Sequence, residues 1–305
     1  MRGDAPAVRA TLIVMTPAEM QGLVIGPTTV HVDRQHVDAF VAATGDDPDR
    51  WHDEAPPGYA AVLLFTVAGD FLNDPRIAPY LRTLVHVDQQ FTYPAPIPIE
   101  GDIMVTGSVE RVRMRSGAYF VTFAAEATVD GSLVVTSRST FLMSDEPAAK
   151  AGRDRGEPHV DLREHTEIPE TVVLPPEGAA ATLAKSASRA DLAAYAEATR
   201  DFNPIHLDHD AARAAGLDGV VVHGLLMLSW MIQHAVSMAT GPAPMAEVKV
   251  RFRSALRPAV AATVETAVRR AIPEGDDADL ALRLIADGAD VVTGTATIRL
   301  GWVTP

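Results

Sequence analysis

The sequence predicts an α+β fold in which one helix-and-sheet unit occurs twice. Three observations indicate this fold: a stretch of the first half recurs in the second, each copy holds an apolar helix, and the remaining segments alternate as strands do. With 305 residues, 47% of them hydrophobic, the chain can form two domains of ordinary size.

The internal repeat carries the domain assignment. Residues 33–53 (DRQHVDAFVAATGDDPDRWHD) align without gaps on residues 188–208 (SRADLAAYAEATRDFNPIHLD). Further along, Phe91 matches Phe252, and the turn Asp130-Gly131 matches Asp287-Gly288, in the same order and at offsets between 155 and 161 residues. Three matches in order indicate two copies of one supersecondary plan.

The domain boundary is predicted in a segment without sustained periodicity that is rich in proline and charged residues. We assign residues 1–145 to the first domain, 146–180 to a linker and 181–305 to the second domain.

Each copy begins with a helix followed by a second, more apolar one. In copy two Ser188 is a good N-cap with Asp191 three residues on, and Asn203-Pro204 is expected to end the first helix. The apolar helices are expected near Ala60–Leu72 and Leu225–Val236.

The other segments of each copy have the pattern of antiparallel strands. Val248, Val250 and Phe252 alternate with basic residues, which is the period of a half-buried strand. The pairs Ser116-Gly117, Asp130-Gly131 and Asp287-Gly288 stand between apolar runs and predict hairpins.

Composition excludes several classes of function. A formal net charge of −14 disfavours nucleic acid and anionic membranes as partners. The absence of cysteine excludes disulfides, thiolate nucleophiles and cysteine-based zinc sites. The sequence shows neither a signal peptide nor an uninterrupted apolar span, so we expect a cytoplasmic protein.

The segment 201–206 (DFNPIH) holds the candidate chemistry. A turn at Asn203-Pro204 can bring the His206 imidazole back toward the Asp201 carboxylate, and such a pair can hold one water and exchange protons near neutral pH. Asn203 can fix the turn through its own backbone. The sequence pattern alone is equally compatible with a surface Asx-Pro turn.

The pair His223-Gly224 opens the second apolar helix of copy two. Free N–H groups at a helix start can stabilise an oxyanion, and Gly224 would let a carbonyl approach closely. Taken by itself, a glycine there also fits an ordinary helix start.

Together these segments resemble the MaoC-like dehydratases, or (R)-specific enoyl-CoA hydratases. The family pattern matches Thr199, Asp201, Asn203, Pro204 and His206, and departs from it at Arg200, where glycine is usual; His223-Gly224 and Ser229 match the later helix. The resemblance implies a double hot-dog fold, in which an antiparallel sheet wraps a long central helix in each copy.

The same resemblance implies roles for these residues. Asp201 and His206 would be the catalytic pair, and Gly224 would donate to the thioester oxygen, with Asn203, His223 and Ser229 positioning the substrate. The side chain of Arg200 would contact an acyl or phosphate group.

Copy one resembles the degenerate first half of two-domain members. Trp51 stands where His206 does, Pro48 stands where Asn203 does, and Pro56-Pro57-Gly58 lies near the place of His223-Gly224. A register shifted by one would restore an imidazole at His52. We predict one active site per chain, with copy one helping to shape the acyl pocket.

Two weaker signals complete the predicted site. His206, Asp208 and His209 could ligate a metal, but nothing else in the sequence supplies further ligands, so we predict no metal. Lys249, Arg251 and Arg253 are candidates to bind the phosphates of coenzyme A, although alternation also predicts a solvated strand face.

The sequence therefore predicts reversible hydration of trans-2-enoyl thioesters to (R)-3-hydroxyacyl thioesters, without a cofactor. The partner would be an acyl-CoA or an acyl-carrier-protein thioester. Two other functions stay open: a catalytically silent acyl-thioester-binding or partner subunit, and a hot-dog thioesterase. Two hot dogs in one chain already make a pseudo-dimer, so a further homodimer is optional.

Overall fold

The structure is a computed structural model that describes residues 14–146, 180–238, 244–271 and 277–299. The helices are α1 (Pro17–Met20), α2 (Arg34–Thr44), α3 (Ala60–Leu72), α4 (Arg189–Thr199), α5 (His209–Ala214) and α6 (Gly224–Val236). The first-half strands are β1 (Val24–Val32), β2 (Glu54–Ala55), β3 (Thr83–Thr92), β4 (Ile97–Pro98), β5 (Gly101–Arg115), β6 (Ala118–Val129) and β7 (Ser132–Ser144). The second-half strands are β8 (Ala180–Lys185), β9 (Met245–Phe252), β10 (Ala262–Ala271), β11 (Asp277–Ala286) and β12 (Ala289–Arg299).

The main sheet confirms the internal repeat. Its ten strands lie in the order β1-β5-β6-β7-β3-β9-β12-β11-β10-β8, so the second half mirrors the first about the β3–β9 junction. That junction is antiparallel and pairs Gln89 with Val250 and Phe91 with Val248. All the pairings in the main sheet are antiparallel, as the hairpin signals predicted.

One apolar helix lies against each half of this sheet. Every residue of α6 from Leu225 to Val236 is buried, and nine residues of α3 are buried as well. A helix that is apolar on all sides is stable only inside a protein, where each large side chain contributes about 1.5–3 kcal/mol by leaving water. The predicted α+β double hot-dog architecture is therefore confirmed.

The predicted hairpins are also present. Asp130-Gly131 joins β6 to β7 and Asp287-Gly288 joins β11 to β12, and both residues of each turn have positive φ. Two consecutive left-handed residues match the twist of antiparallel strands, which is why Asp-Gly is favoured there.

Of the predicted linker, residues 146–180, only the two end residues belong to the described part of the chain. The last strand before it, β7, ends at Ser144, and β8 begins at Ala180. Within the described part of the chain, none of the helices is long and apolar enough to span a membrane.

Candidate active site

The loop that carries Asp201 begins earlier than the sequence predicted. Helix α4 ends at Thr199, and Arg200 adopts a left-handed φ of 61°, whereas the sequence predicted that Asn203-Pro204 would end the helix. Gly45 has the same role after α2, with φ 60°. Glycine is favoured at this position because it adopts that conformation without strain, while arginine does so at a cost of roughly 1–2 kcal/mol. A contact of Arg200 with an acyl or phosphate group was predicted. Its side chain is exposed and is not among the residues that line the cavity described below, so the structure does not support the contact with an acyl group, while the contact with a phosphate stays a prediction.

Asn203 holds the turn, as predicted. Its side-chain oxygen accepts a hydrogen bond from the Ile205 N–H at 3.3 Å, and its carbonyl accepts one from the His206 N–H at 3.0 Å. The short helical turn 204–206 that follows carries the His206 ring back toward Asp201.

Asp201, His206 and His223 form one buried cluster in which a carboxylate oxygen and one nitrogen of each ring lie within 4.8 Å of one another. The His206 Nδ1 lies 2.8 Å from the Val221 carbonyl oxygen. A carbonyl oxygen can only accept, so Nδ1 carries the proton and Nε2 of the neutral ring is an acceptor. Asp201 and His206 can therefore both accept hydrogen bonds from a single water.

His223 supports this pair rather than completing a triad. Its Nε2 donates to the backbone carbonyl of Asp201 at 3.1 Å, and its ring stacks on His206 at 3.9 Å between centroids. The ring thus fixes both the backbone of one candidate catalytic residue and the plane of the other. Its Nδ1 is buried without a hydrogen-bond partner in the described structure.

Burial shifts the two pKa values of the pair toward each other. It raises the pKa of the Asp201 carboxyl, against opposing effects of the His206 ring and the Asn203 N–H. It lowers the pKa of His206, against opposing effects of Asp201 and the Val221 carbonyl. Proton transfer between acid and base partners is easiest when their proton affinities are similar, so this environment suits acid–base chemistry.

The spacing of this cluster is also compatible with a metal ion, since each of its three side chains offers a donor atom within 4.8 Å of the others. The hydrogen bond from each ring to a backbone carbonyl does not argue against this, because metal-bound histidines commonly donate their other N–H to a carbonyl. The absence of a metal therefore stays a prediction. The other grouping considered, around Asp208 and His209, is not assembled. Asp208 caps α5 by accepting from the Ala211 N–H, and the His209 Nδ1 accepts from the Val220 N–H.

A cavity of about 320 Å³ opens beside Asp201 and His206. It exists because β3 and β9 pair only from Asp88 onward, so the start of β3 and the chain after Phe252 diverge and leave a gap in the sheet. Both halves of the chain line it. The residues from the first half are Phe65, Leu72, Leu84, Val85, His86 and Phe141.

Gly224 lines this cavity at the start of α6, where the helix N–H groups have no partner within the helix. A Cβ at this position would lie 3.3 Å from two ring carbons of Phe252, which also lines the cavity. A larger residue here would therefore press on the Phe252 ring, which would have to shift by a few tenths of an ångström, and the sequence did not suggest this contact.

Ser229 does not reach the cavity. Its hydroxyl donates to the Leu225 carbonyl at 2.8 Å, and its oxygen lies 3.1 Å from where a Cβ on Gly58 would stand. At 3.6 residues per turn, a residue five positions after Gly224 lies on a different face of the helix. Four of the predicted site residues thus line the cavity: Asp201, Asn203, His206 and Gly224. His223 contacts Asp201 and His206 without lining the cavity, and Ser229 does neither.

The three basic candidates on or just after β9 differ in their distance from the cavity. All are exposed, but only Arg253 lines the cavity, where its Nε donates to the Thr293 hydroxyl. Arg251 lies 3.7 Å from Asp88, and Lys249 is two pairs further from the gap.

His86 is a cavity residue that the sequence analysis missed. It comes from the first half, its ring packs against Phe141 and Phe252, and its Nε2 is buried without a hydrogen-bond partner in the described structure. Burial lowers the pKa of His86 to about 4. Nothing local marks it, because its place depends on pairing between distant strands.

The counterpart of this site in copy one is closed. The Trp51 indole donates to the Asp46 carboxylate at 3.1 Å, while His52 is exposed. Helix α3 begins after Tyr59, so Tyr59-Ala60, and not Pro56-Pro57-Gly58, occupies the place of His223-Gly224.

The space in copy one that corresponds to the cavity is only about 10 Å³, too small for an acyl group, and the β2–β4 pair lies beside it. A different cavity, of about 330 Å³, lies beside Asp46 between α2 and α6, but no histidine is among the residues that line it in the described structure.

Comparisons with known proteins show what this chain is similar to. Residues 166–278 match the MaoC like domain, a range that contains Asp201, His206 and Gly224. The chain is 24% identical to 3-hydroxyacyl-thioester dehydratase X of Mycobacterium tuberculosis over 269 residues, 87% of this chain and 85% of that protein. It is 25% identical to an (R)-specific enoyl-CoA hydratase of Rhodospirillum rubrum over 125 residues, 41% of this chain and 87% of that protein.

A solved MaoC-like dehydratase superposes on the fold with a TM-score of 0.77 at 18% identity, covering 94% of this chain and all of the other. The second half of the chain thus contains a MaoC-like domain, within an overall fold shared with a MaoC-like dehydratase.

Proposed function

We propose that the chain catalyses reversible addition of water to trans-2-enoyl thioesters, giving (R)-3-hydroxyacyl thioesters. The observation that carries this proposal is the buried Asp201–His206 pair, which sets two hydrogen-bond acceptors close together at a mostly apolar cavity. The names of the relatives, a 3-hydroxyacyl-thioester dehydratase and an (R)-specific enoyl-CoA hydratase, support the reaction and its stereochemistry.

In the proposed hydration, the water held by Asp201 and His206 attacks the β carbon and gives up one proton to the pair. The electron pair of the double bond moves toward the thioester oxygen, forming an enolate. Return of the proton to the α carbon completes the addition. Because one pair of side chains handles both transfers, water and proton add to the same face, which is syn addition. The electrons stay within the substrate, so the reaction requires no redox cofactor.

The start of α6 is the proposed oxyanion site. The Gly224 N–H and the positive end of the helix dipole lie at the cavity wall, close to the acid–base pair. In other enzymes, a hydrogen-bond donor of this kind stabilises the transition state by on the order of 3 kcal/mol.

The apolar lining supports a hydrocarbon acyl group. A volume of about 320 Å³ would hold on the order of ten carbon-sized groups, if each takes about as much space as a water molecule in the liquid. The first half supplies much of this lining, which supports the predicted role of copy one in shaping the acyl pocket.

The test is hydration of crotonyl-CoA, followed by loss of its conjugated absorbance and by chiral analysis of the product. We expect Asp201→Asn and His206→Gln each to lower kcat by about 100-fold to 10,000-fold, because each removes one acid–base group. Asp46→Asn and His52→Gln are the matched controls from copy one and should retain activity. Circular dichroism checks that all four variants fold.

Three outcomes would contradict the proposal. Release of free thiol without a hydroxyacyl product would indicate a thioesterase. Binding of crotonyl-CoA without turnover would indicate a silent acyl-binding protein. Full activity of either copy-two variant would remove the assigned pair.

A further inference from the structure

A band of cations crosses the outer face of the main sheet. We call the following exposed residues the basic band: Arg111, Arg113 and Arg115 on β5, Arg138 on β7, and Lys249, Arg251 and Arg253 on or just after β9. The band spans both halves of the chain, and it stands out because the whole chain carries a net charge of −14.

Strand register places the band around the cavity mouth. Val85 lines the cavity and is 42% exposed. Its cross-strand partner on β7 is Leu142. Leu142 in turn pairs with Phe120 on β6, and Phe120 pairs with Arg113 on β5. Cross-strand partners share a face of the sheet, so an apolar row leads from the mouth to Arg113. Three strand spacings make this row about 14 Å long.

A parallel row gives the width of the band. Arg111 pairs with Thr122, Thr122 with Thr140, Thr140 with Asp88, and Asp88 with Arg251. Four strand spacings separate the two arginines by about 19 Å. Arg253 lies two residues beyond Arg251, at the cavity itself.

Most of this charge is not neutralised by the protein. Glu110 pairs with Arg138 and Asp88 with Arg251, whereas Arg111, Arg113 and Arg115 form no ion pair with the described part of the chain. These three line a shallow groove of about 420 Å³ together with Phe120 and Met114, which is 72% exposed. Cations around exposed apolar groups suit a protein partner with an acidic surface.

We propose that the basic band docks an acidic acyl carrier protein, whose prosthetic arm carries the enoyl group into the cavity. This inference rests on the proposed function, and it names the carrier of the substrate. Charge spread over about 19 Å fits a folded protein better than the phosphates of one nucleotide. Arg253 at the mouth faces the single phosphate of the arm, while Arg111, Arg113 and Arg115 face the acidic protein surface.

The test compares three forms of one substrate: crotonyl-pantetheine, crotonyl-CoA and crotonyl-loaded bacterial acyl carrier protein. We expect Arg111→Glu/Arg113→Glu/Arg115→Glu to lower kcat/KM for the carrier-linked substrate by about tenfold or more, mainly through KM, because charge reversal removes electrostatic attraction. The kcat/KM values for the two smaller substrates should stay within about twofold.

A matched pair of single variants controls for net charge. Arg113→Glu and Arg269→Glu change the charge equally, but Arg269 is exposed on β10, which β12 and β11 separate from the band. Arg113→Glu should weaken only the carrier-linked reaction, and Arg269→Glu should leave all three unchanged.

Two results would overturn the docking proposal while leaving the hydratase intact. One is equal loss of the CoA-linked and carrier-linked reactions in the triple variant, which would assign the arginines to the nucleotide. The other is unchanged turnover of the carrier-linked substrate. Absence of hydration with all three wild-type substrates would instead refute the proposed function itself.

Discussion

Asp46 is the copy-one counterpart of Asp201, and its replacement by asparagine should stabilise the protein without removing hydration. The carboxyl group is buried, and its acceptors are occupied by the Trp51 indole and the Asp47 N–H. Burial raises the pKa of Asp46 to about 6, against the opposing hydrogen bond from Asp47 and the charge of Lys185. Asparagine carries no charge that must be buried, but it keeps only one acceptor oxygen and turns its NH2 group toward the second donor.

The magnitude follows from the pKa shift. A change from 3.8 to about 6 corresponds to about 3 kcal/mol at about 1.4 kcal/mol per unit. The folded protein holds the proton more tightly than the unfolded chain, so stability is lost as pH rises from 3.8 to about 6 and the loss is complete above that window. The attraction of Lys185 is already contained in this shift. The cost that remains is the donor that loses its acceptor, about 1–3 kcal/mol. We therefore expect a net gain of up to about 2 kcal/mol at neutral pH.

Urea unfolding of the wild type and Asp46→Asn at about pH 4.5 and 7.5 measures this gain, which should be larger at the higher pH. Asp201→Asn is the informative companion, because burial raises the pKa of Asp201 as well. That variant should also gain stability at neutral pH but should lose hydration. A loss of activity in Asp46→Asn equal to that in Asp201→Asn would refute the single-site reasoning. A stability gain that does not grow with pH would refute the electrostatic account.

Three further predictions concern the cavity and its counterpart. The kcat/KM for hydration should fall on the acid side at a pH above the ordinary 3.8 of a carboxyl, because burial raises the pKa of Asp201; an acid limb at or below 3.8 in the pH–rate profile would contradict this. Gly224→Ala should change the preference for acyl chain length by pressing on Phe252, while stability stays within about 1 kcal/mol; unchanged kinetics across a series of enoyl-CoA lengths would count against it. Trp51→His in an Asp201→Asn background should not restore activity, because only about 10 Å³ is open there, and should cost about 3 kcal/mol or more of stability; recovered turnover would show that copy one can still form a site.

Local patterns in the sequence were sufficient for the elements and the acid–base pair. The capping box at Ser188 and Asp191, the Asp-Gly turns and the Asn203 turn are each fixed by neighbouring residues, and the structure has them where they were predicted. The internal repeat added the prediction that both halves have the same elements in the same order, because two copies of one sequence pattern are expected to fold alike.

Features that depend on distant pairing were not predictable in this way. His86 reaches the cavity only because β3 and β9 separate before Asp88, and no local motif reports where two strands separate. The end of α4 was misplaced because arginine gives no sign of the left-handed conformation that glycine would have indicated. Ser229 matched its family position, yet the helical period directs it to another face.

The two halves have changed in complementary ways. In a symmetric dimer of single hot dogs, each sequence change would alter both cavities. In a duplicated chain, the starts of β3 and β9 can differ. Here Val85 at the start of β3 lines the cavity of about 320 Å³ in copy two, whereas Met245 at the start of β9 lines the space of only about 10 Å³ in copy one. Trp51 then fills the place of the lost imidazole and satisfies Asp46, which would otherwise be a buried carboxyl with fewer donors. Copy one thus lacks a counterpart of the Asp201–His206 pair at the equivalent place, while it forms part of the cavity wall, part of the cavity mouth and, by our proposal, most of the surface that receives the carrier.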